Sequence, residues 1–326
     1  MNRERVRWGL LSTALINEAI LRGAAESERA DVVAVASREP ARAEAYAAAR
    51  GIPRAHGSYE ALLEDPDVDA VYVSLPNSLH TEWTVRALEA GKHVLCEKPF
   101  SRRVADVERA FDAAEANGLV LSEGFMWRHS PHTRKLVELA GAVGTVRVVR
   151  GAFSFQLEAS RGAGDTRFSA DLDGGALMDL GCYCVSAIRL LLGEPTRLRG
   201  EQFVGPTGVD LVFSATLGFD GAVAHFDCGF VLPHRRELEV VGEEGTLFAH
   251  APWPGECPRF ELRRGDDVVE RIETEKVDPY RYELDNIGAA IRGEGELLLG
   301  REDAVGQARA IETLYDSAKL RPDPGG

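Results

Sequence analysis

The sequence has little of several features that would assign a function quickly. Its 326 residues include only five cysteines, scattered and odd in number as in proteins with reduced thiols. The Cys182-x-Cys184 pair is too tightly spaced for a usual zinc site. A formal net charge of −14 disfavours a surface for nucleic acid or anionic membrane. No apolar run approaches the roughly 20 residues of a membrane span, and no signal-peptide core follows Met1. We expect a cytoplasmic protein with no metal, no nucleic acid and no membrane partner.

The first 126 residues alternate between short apolar strands and helices. Strand 6–12, helix 15–27 and strand 31–37 form one strand–helix–strand unit of about 30 residues. The alternation continues to a strand at 120–123. This pattern predicts an N-terminal doubly wound parallel sheet of the Rossmann type.

From residue 127 the pattern changes to longer strand-like runs joined by Gly-rich turns such as Phe219-Asp220-Gly221. Hairpin spacing of this kind predicts a large, open, mostly antiparallel sheet in an α+β domain. One helix, 175–192, interrupts the strands, and two helices, 279–292 and 301–318, close the chain. The predicted class is α/β, with residues 1–126 as a dinucleotide-binding domain and residues 127–326 as a second domain.

The turn after the first strand lacks every glycine of the Gly-x-Gly-x-x-Gly motif. Ser12, Ala14 and Asn17 stand in the three glycine positions. Small residues still let the backbone approach a pyrophosphate, and the N-terminus of a helix follows directly. A plain capped strand–helix turn would explain the same residues, and this alternative stays open. The predicted cofactor contacts in the turn are Ser12, Thr13, Ala14, Ile16 and Asn17.

The end of the second strand lacks the acidic residue that usually binds the ribose of NAD. Ser37 and Arg38 stand there instead. Arg38 and Arg42 are four residues apart, so both guanidinium groups can reach one phosphate. The sequence therefore predicts a preference for NADP(H), with NAD(H) possible. Glu39 argues against this preference, and a solvated cluster of charges is the alternative.

Polar residues also follow the later strands, where ligands bind in open α/β sheets. Lys98 stands where a strand at 92–96 ends, while Asp179 and Tyr183 are one helical turn apart and so project from one face. An ammonium group lowers the pKa of a nearby phenol from about 10, so a Lys–Tyr pair can exchange a proton with an alcohol or carbonyl oxygen. The alternatives are a surface lysine, a core tyrosine and a structural ion pair for Asp179. The predicted strand-end residues are Leu75, Pro76, Asn77, His80, Glu97, Lys98, Pro99, Trp127 and Arg128.

On these residues the chain resembles the Gfo/Idh/MocA oxidoreductases over nearly its whole length. The most specific segments are Glu97-Lys98-Pro99 and the run from Gly174 to Tyr183. Many members of the family carry histidine where this chain has Tyr183. Tyrosine there resembles the branch of dimeric trans-dihydrodiol dehydrogenases, bacterial xylose dehydrogenases and keto-sugar reductases.

The resemblance implies an NADP(H)-dependent oxidoreductase for a sugar, keto-sugar or cyclic diol. Lys98 and Tyr183 would be the catalytic pair and Asp179 their neighbour. It further implies a homodimer or homotetramer formed through the exposed face of the C-terminal sheet. Two alternatives remain, a non-catalytic NADP-binding sensor or partner protein and a hydrolase of the same family that retains NAD. The residues implied to border the nicotinamide and its ribose are Asn77, Glu97, Pro99, Trp127 and Arg128.

Overall fold

The computed structural model describes residues 5–253 and 257–319 of the chain. The chain divides into two compact units, one formed by Met1–Ser130 with Asp278–Val305 and the other by Pro131–Val277 with Gly306–Gly326. The first unit thus includes a segment from near the C-terminus. A domain division after residue 126 stays a prediction, because compactness does not show which segments fold on their own.

The first unit contains a six-stranded sheet in the order β3-β2-β1-β4-β5-β6, and all five pairings are parallel. The order reverses between β1 and β4, as in dinucleotide-binding sheets. All six strands therefore end at one edge of the sheet. The strands are β1 Val6–Leu10, β2 Ala30–Ala36, β3 Arg54–His56, β4 Ala70–Val73, β5 His93–Glu97 and β6 Leu121–Gly124.

Helices pack against this sheet, and its central strands are buried. All four residues of β4 are buried, which is typical of a central parallel strand. In α5, Val104–Asn117, the buried residues recur at helical spacing, and the helix ends at Gly118 in the left-handed conformation. The other helices are α1 Asn17–Glu26, α2 Pro40–Arg50, α3 Tyr59–Leu63, α4 His80–Glu89, α6 Met126–His129 and, much later in the chain, α10 Pro279–Ile291.

The second unit contains an eight-stranded, mostly antiparallel sheet in the order β14-β13-β12-β11-β7-β10-β9-β8. Among the strands of the described residues in this sheet, β7 and β10 pair in parallel and the other neighbours pair antiparallel. The predicted fold class is therefore confirmed. The strands are β7 Val146–Gln156, β8 Arg197–Val204, β9 Asp210–Gly218, β10 Val223–Gly229, β11 Val231–Gly242, β12 Thr246–His250, β13 Arg259–Arg264 and β14 Asp267–Glu273.

The helices of the second unit include one very apolar stretch. Residues 170–192 are long and apolar enough to cross a membrane by composition, but 78% of the most apolar window is buried inside the protein. The expectation that no apolar run approaches this length is therefore wrong, although the burial is that of a core helix. The helices are α7 Pro131–Gly141, α8 Leu157–Arg161, α9 Cys182–Leu192 and α11 Arg301–Lys319, the last of which begins in the first unit.

Candidate active site

The turn after β1 is closed by its own polar side chains. The Ser12 hydroxyl lies 2.7 Å from the Ser74 hydroxyl and accepts a hydrogen bond from the Ala14 amide at 3.0 Å. The Asn17 side chain is fully buried and donates to the Ser12 carbonyl at 2.8 Å. Ser12 and Asn17 therefore shape the turn from inside, while Thr13 and Ala14 are partly exposed. This small-residue turn before α1 leaves room for a pyrophosphate.

The end of β2 carries two arginines that fit a phosphate group. Ser37 is buried and accepts a hydrogen bond from the Glu39 amide at 3.2 Å. Arg38 and Arg42 are exposed, and neither has an ion-pair partner within residues 5–253 and 257–319. Arg42 lines an open pocket of about 330 Å³ together with Thr13 and Ala14. Arg38 is not among the residues that line this pocket.

The residues after β4 surround a buried histidine. His80, the first residue of α4, is only 1% exposed. Its Nε2 lies 2.8 Å from the Leu75 carbonyl, and its Nδ1 lies 3.0 Å from the Pro99 carbonyl. Burial lowers the pKa of this imidazole, and the charge on Lys98 lowers it further. Pro76 and Asn77 are partly exposed, whereas the histidine faces the interior.

The Glu97-Lys98-Pro99 segment begins where β5 ends. The Tyr72 hydroxyl donates a short hydrogen bond to Glu97 Oε1, and the Lys98 amide donates to Glu97 Oε2 at 3.2 Å. Burial and the neighbouring Glu97 raise the pKa of Tyr72 well above its usual value. The Lys98 side chain is half-buried, and Pro99 is buried. Tyr72 was not among the predicted residues, although a tyrosine in a buried strand usually finds a hydrogen-bond partner.

The residues after β6 are mostly buried. Trp127 is buried, and the Arg128 guanidinium pairs with Asp303 at 3.2 Å. His129 is buried, with its Nε2 lying 4.0 Å from a carboxylate oxygen of Glu283 in α10. Burial lowers the pKa of His129 to about 3, and burial raises the pKa of Glu283 well above its usual value. His129 is therefore neutral near pH 7, and desolvation favours the protonated form of Glu283.

In the second unit, Asp179 lies within a π-helical turn at Leu177–Gly181, and Tyr183 follows in α9. The Asp179 carboxylate pairs with the Arg167 guanidinium at 3.3 Å. The Tyr183 ring is 4% exposed and packs edge-on against Phe153, with centroids 5.5 Å apart, and stacks with Trp253 at 6.3 Å. The expected single face assumed α-helical spacing, which the wider π turn changes. π turns occur frequently at functional sites.

The helical segment that carries Asp179 and Tyr183 is anchored at its start by Asp210. Its two carboxylate oxygens accept hydrogen bonds from the Leu177 amide at 2.7 Å and from the Tyr315 hydroxyl at 2.8 Å. Gly175 has a φ of +127°, and a Cβ there would lie 2.1 Å from Asp210 Oδ1. The close approach of Asp210 thus explains the glycine. Nothing in the sequence signalled Asp210 or Tyr315.

No group of three or more His, Cys, Asp or Glu side chains within residues 5–253 and 257–319 is arranged to hold a metal ion. The polar groups at the strand ends instead suit a dinucleotide. They combine a small-residue turn, a helix N-terminus and unpaired guanidinium groups.

Comparison with known proteins agrees with this geometry. Residues 7–125 match the GFO/IDH/MocA oxidoreductase family with its NAD-binding Rossmann fold, and residues 132–248 match the C-terminal domain of that family. The chain is 39% identical over 319 residues to D-xylose 1-dehydrogenase (NADP(+)) 2 of Haloferax volcanii, covering 96% of this chain and 97% of the relative.

Two further proteins show the same relationship. Trans-1,2-dihydrobenzene-1,2-diol dehydrogenase of Danio rerio is 34% identical over 268 residues, covering 80% of this chain and 78% of the relative. The crystal structure of KijD10, a 3-ketoreductase from Actinomadura kijaniata in complex with NADP and TDP-benzene, superposes with a TM-score of 0.90. Its sequence is 30% identical, and the match covers 96% of this chain and 98% of that chain. The chain belongs to the GFO/IDH/MocA family of oxidoreductases.

Proposed function

We propose that this oxidoreductase uses NADP(H) to interconvert a hydroxyl and a carbonyl group on a sugar, keto-sugar or cyclic diol. The observation that carries the proposal is exposed Arg42, which has no ion-pair partner among the described residues and lies beside Thr13 and Ala14, on the sheet edge that also bears Lys98. The names of the relatives support it, because they include an NADP(+)-dependent xylose dehydrogenase and a ketoreductase bound to NADP.

The cofactor would be held by groups at the strand ends. Thr13, Ala14 and the first turn of α1 would contact the pyrophosphate, and Ser37, Arg38 and Arg42 would contact the phosphorylated ribose. Asn77 and Glu97 would border the nicotinamide ribose. Once bound, the nicotinamide supplies the hydride donor or acceptor.

Tyr183 would act as the general acid/base at the substrate oxygen. A phenol of ordinary pKa, about 10, exchanges protons poorly near neutral pH. The ammonium group of Lys98 would favour the phenolate and would also hydrogen-bond the substrate oxygen. Asp179, oriented by Arg167, would accept a hydrogen bond from a substrate hydroxyl. Tyr183 would donate the proton in the reduction and accept it in the oxidation.

The protein would work in the cytoplasm as a homodimer or homotetramer formed through the eight-stranded sheet. All five cysteines are free thiols, which suits a reducing compartment. On the edge strand β8, Phe203 is 61% exposed and Val204 is 46% exposed. Light scattering of the purified protein tests the assembly, and a monomer at micromolar concentration would contradict it.

The function is tested by absorbance at the reduced-nicotinamide band, with each cofactor offered against aldoses, keto-sugars, inositols and cyclic diols. The proposal predicts turnover of at least one polyhydroxylated substrate, faster with NADP(H) than with NAD(H). Absence of turnover across the panel, with NADPH still bound, would favour a sensor. Product formation with no net redox change and a tightly retained NAD would identify a hydrolase.

A further inference from the structure

The backbone around Lys98 is held by two side chains from the preceding strand and helix. Tyr72 lies in β4 and His80 begins α4, and neither projects toward solvent. Tyr72 binds the residue before Lys98, and His80 binds the residue after it. Lys98 is therefore clamped on both sides by the β4–α4 segment.

The contact on the first side runs through the Glu97 carboxylate. One of its oxygens accepts from the Tyr72 hydroxyl, and the other accepts from the Lys98 amide at 3.2 Å. Removal of the Tyr72 hydroxyl would take one donor from this carboxylate and weaken the restraint on its orientation. The amide of Lys98 would then lose a fixed acceptor. The position of the Lys98 backbone thus depends on a hydroxyl in the adjacent strand.

The contact on the second side runs through the His80 imidazole. Its two ring nitrogens lie 2.8 Å from the Leu75 carbonyl and 3.0 Å from the Pro99 carbonyl. These carbonyls belong to the segments that follow β4 and β5, so the ring lies between both strand ends. The neutral ring carries a single N–H, and the Nδ1–H tautomer donates it to the Pro99 carbonyl. A side chain that is almost fully buried between two backbone carbonyls is suited to hold segments rather than to contact a ligand.

We propose that Tyr72 and His80 are positioning residues that fix the backbone on either side of Lys98 and thereby direct its amine. This inference rests on the proposed function, because it requires Lys98 to act in the reaction. Neither side chain would touch the reacting atoms. Their removal should lower turnover only through Lys98.

The test is a double-mutant cycle between Tyr72 and Lys98, measured as single-turnover rates with enzyme in excess. Tyr72→Phe keeps the buried ring and removes only the hydroxyl, and we expect turnover to fall between about 10-fold and about 100-fold. In a Lys98→Met background, Tyr72→Phe should lower the single-turnover rate by less than about twofold, because there is no amine left to misdirect. His80→Gln should follow the same pattern.

Two control variants separate positioning from general damage. Tyr59→Phe removes the hydroxyl of another buried tyrosine, which packs edge-on against Trp83 in the same unit. His93→Gln removes an imidazole at the opposite end of β5, where it accepts from the Val120 amide at 2.9 Å. Both controls should keep turnover within about twofold of the wild type, as surface and remote changes usually do. Thermal unfolding and NADPH binding confirm that each variant is folded.

Equal losses in the wild-type and Lys98→Met backgrounds would overturn the inference, because Tyr72 would then act independently of the amine. Wild-type turnover of Tyr72→Phe would overturn it as well. Wild-type turnover of Lys98→Met would instead remove Lys98 from the mechanism and refute that part of the proposed function.

Discussion

The two units place their candidate residues by different means. In the first unit the candidates follow the ends of parallel strands, and sheet topology alone brings those ends to one edge. In the second unit Asp179 and Tyr183 lie on a helical segment whose start is fixed by Asp210, 33 positions beyond the Leu177 amide that it binds. In the first unit the positions of the candidate residues are therefore fixed by many backbone pairings between strands. The second depends on a few side-chain contacts.

This difference has a consequence for tolerance to substitution. A cofactor site built at several strand ends should lose affinity gradually as single contacts are removed. A catalytic segment held by one buried carboxylate should respond strongly to a single change. The predictions below compare the two units on this point.

The largest effect is expected from Tyr183→Phe in the second unit. Loss of the acid/base hydroxyl should lower turnover roughly 10²–10⁴-fold. The protein should still fold, because the ring keeps its contacts with Phe153 and Trp253. Steady-state kinetics with Tyr59→Phe as the control measure the loss. Near-normal turnover would remove Tyr183 from the mechanism.

The second largest effect is expected at Asp210, which anchors the start of the same segment. Asp210→Ala removes the acceptor for the Leu177 amide and the Tyr315 hydroxyl, so the free energy of unfolding should fall by about 2–6 kcal/mol, from two buried groups at about 1–3 kcal/mol each. Turnover of the folded fraction should fall as well. Denaturant titration measures the first quantity, and the exposed turn residue Asp220→Ala is the control. Equal stability of the two variants would show that the anchor does not matter.

A pH effect is expected in the first unit, at His129. Because its folded pKa of about 3 is below the ordinary value of 6.5, only the unfolded chain binds a proton as the pH falls below 6.5. Stability contributed by the neutral ring is present above pH 6.5 and is lost progressively down to about pH 3. Between pH 6.5 and 5 the loss should be about 2 kcal/mol, at about 1.4 kcal/mol per pH unit.

His129→Gln should abolish this component of the pH dependence, whatever its effect on stability at neutral pH. Denaturant titrations of both proteins at pH 6.5 and pH 5 measure the difference. An equal fall in the free energy of unfolding of the wild type and the variant between pH 6.5 and pH 5 would show that the buried ring does not resist protonation.

The smallest effect is expected at the cofactor phosphate. Arg42→Ala should reduce the preference for NADPH over NADH about 10-fold, the loss of one charge-assisted hydrogen bond worth about 1.5 kcal/mol. Arg38→Ala should reduce it less, because Arg38 does not line the pocket beside Thr13 and Ala14. The ratio of kcat/KM values for the two cofactors measures the preference. An unchanged ratio in the double variant would refute the assignment, and exposed Arg109→Ala serves as the control.

Much of the fold could be predicted because its elements carry periodic apolar residues. The β4 run and the helical spacing in α5 each indicate one structure clearly. The three-residue strand β3 was missed, since Arg54 and His56 leave a single apolar residue and hence no pattern. The π turn at Leu177–Gly181 was also missed, because its residues fit an ordinary helix equally well.

The site could be predicted only where chain order determines position. Lys98 was identified because it follows a strand, and parallel strand ends meet at one edge. The partners of the candidate residues could not be identified in this way. Tyr72 and Glu97 are 25 positions apart, and Tyr315 and Asp210 are 105 apart, so only tertiary packing brings each pair together.

The most direct test of the account uses NADPH that carries deuterium at both C4 positions, with the carbonyl form of the substrate that the screen identifies. Mass spectrometry of the product counts the label. The account predicts one deuterium on the newly formed carbinol carbon of each product molecule, and roughly 10²–10⁴-fold less of this labelled product when Tyr183→Phe replaces the wild type over the same time. An unlabelled product formed by the wild-type enzyme would contradict hydride transfer and with it the proposed function.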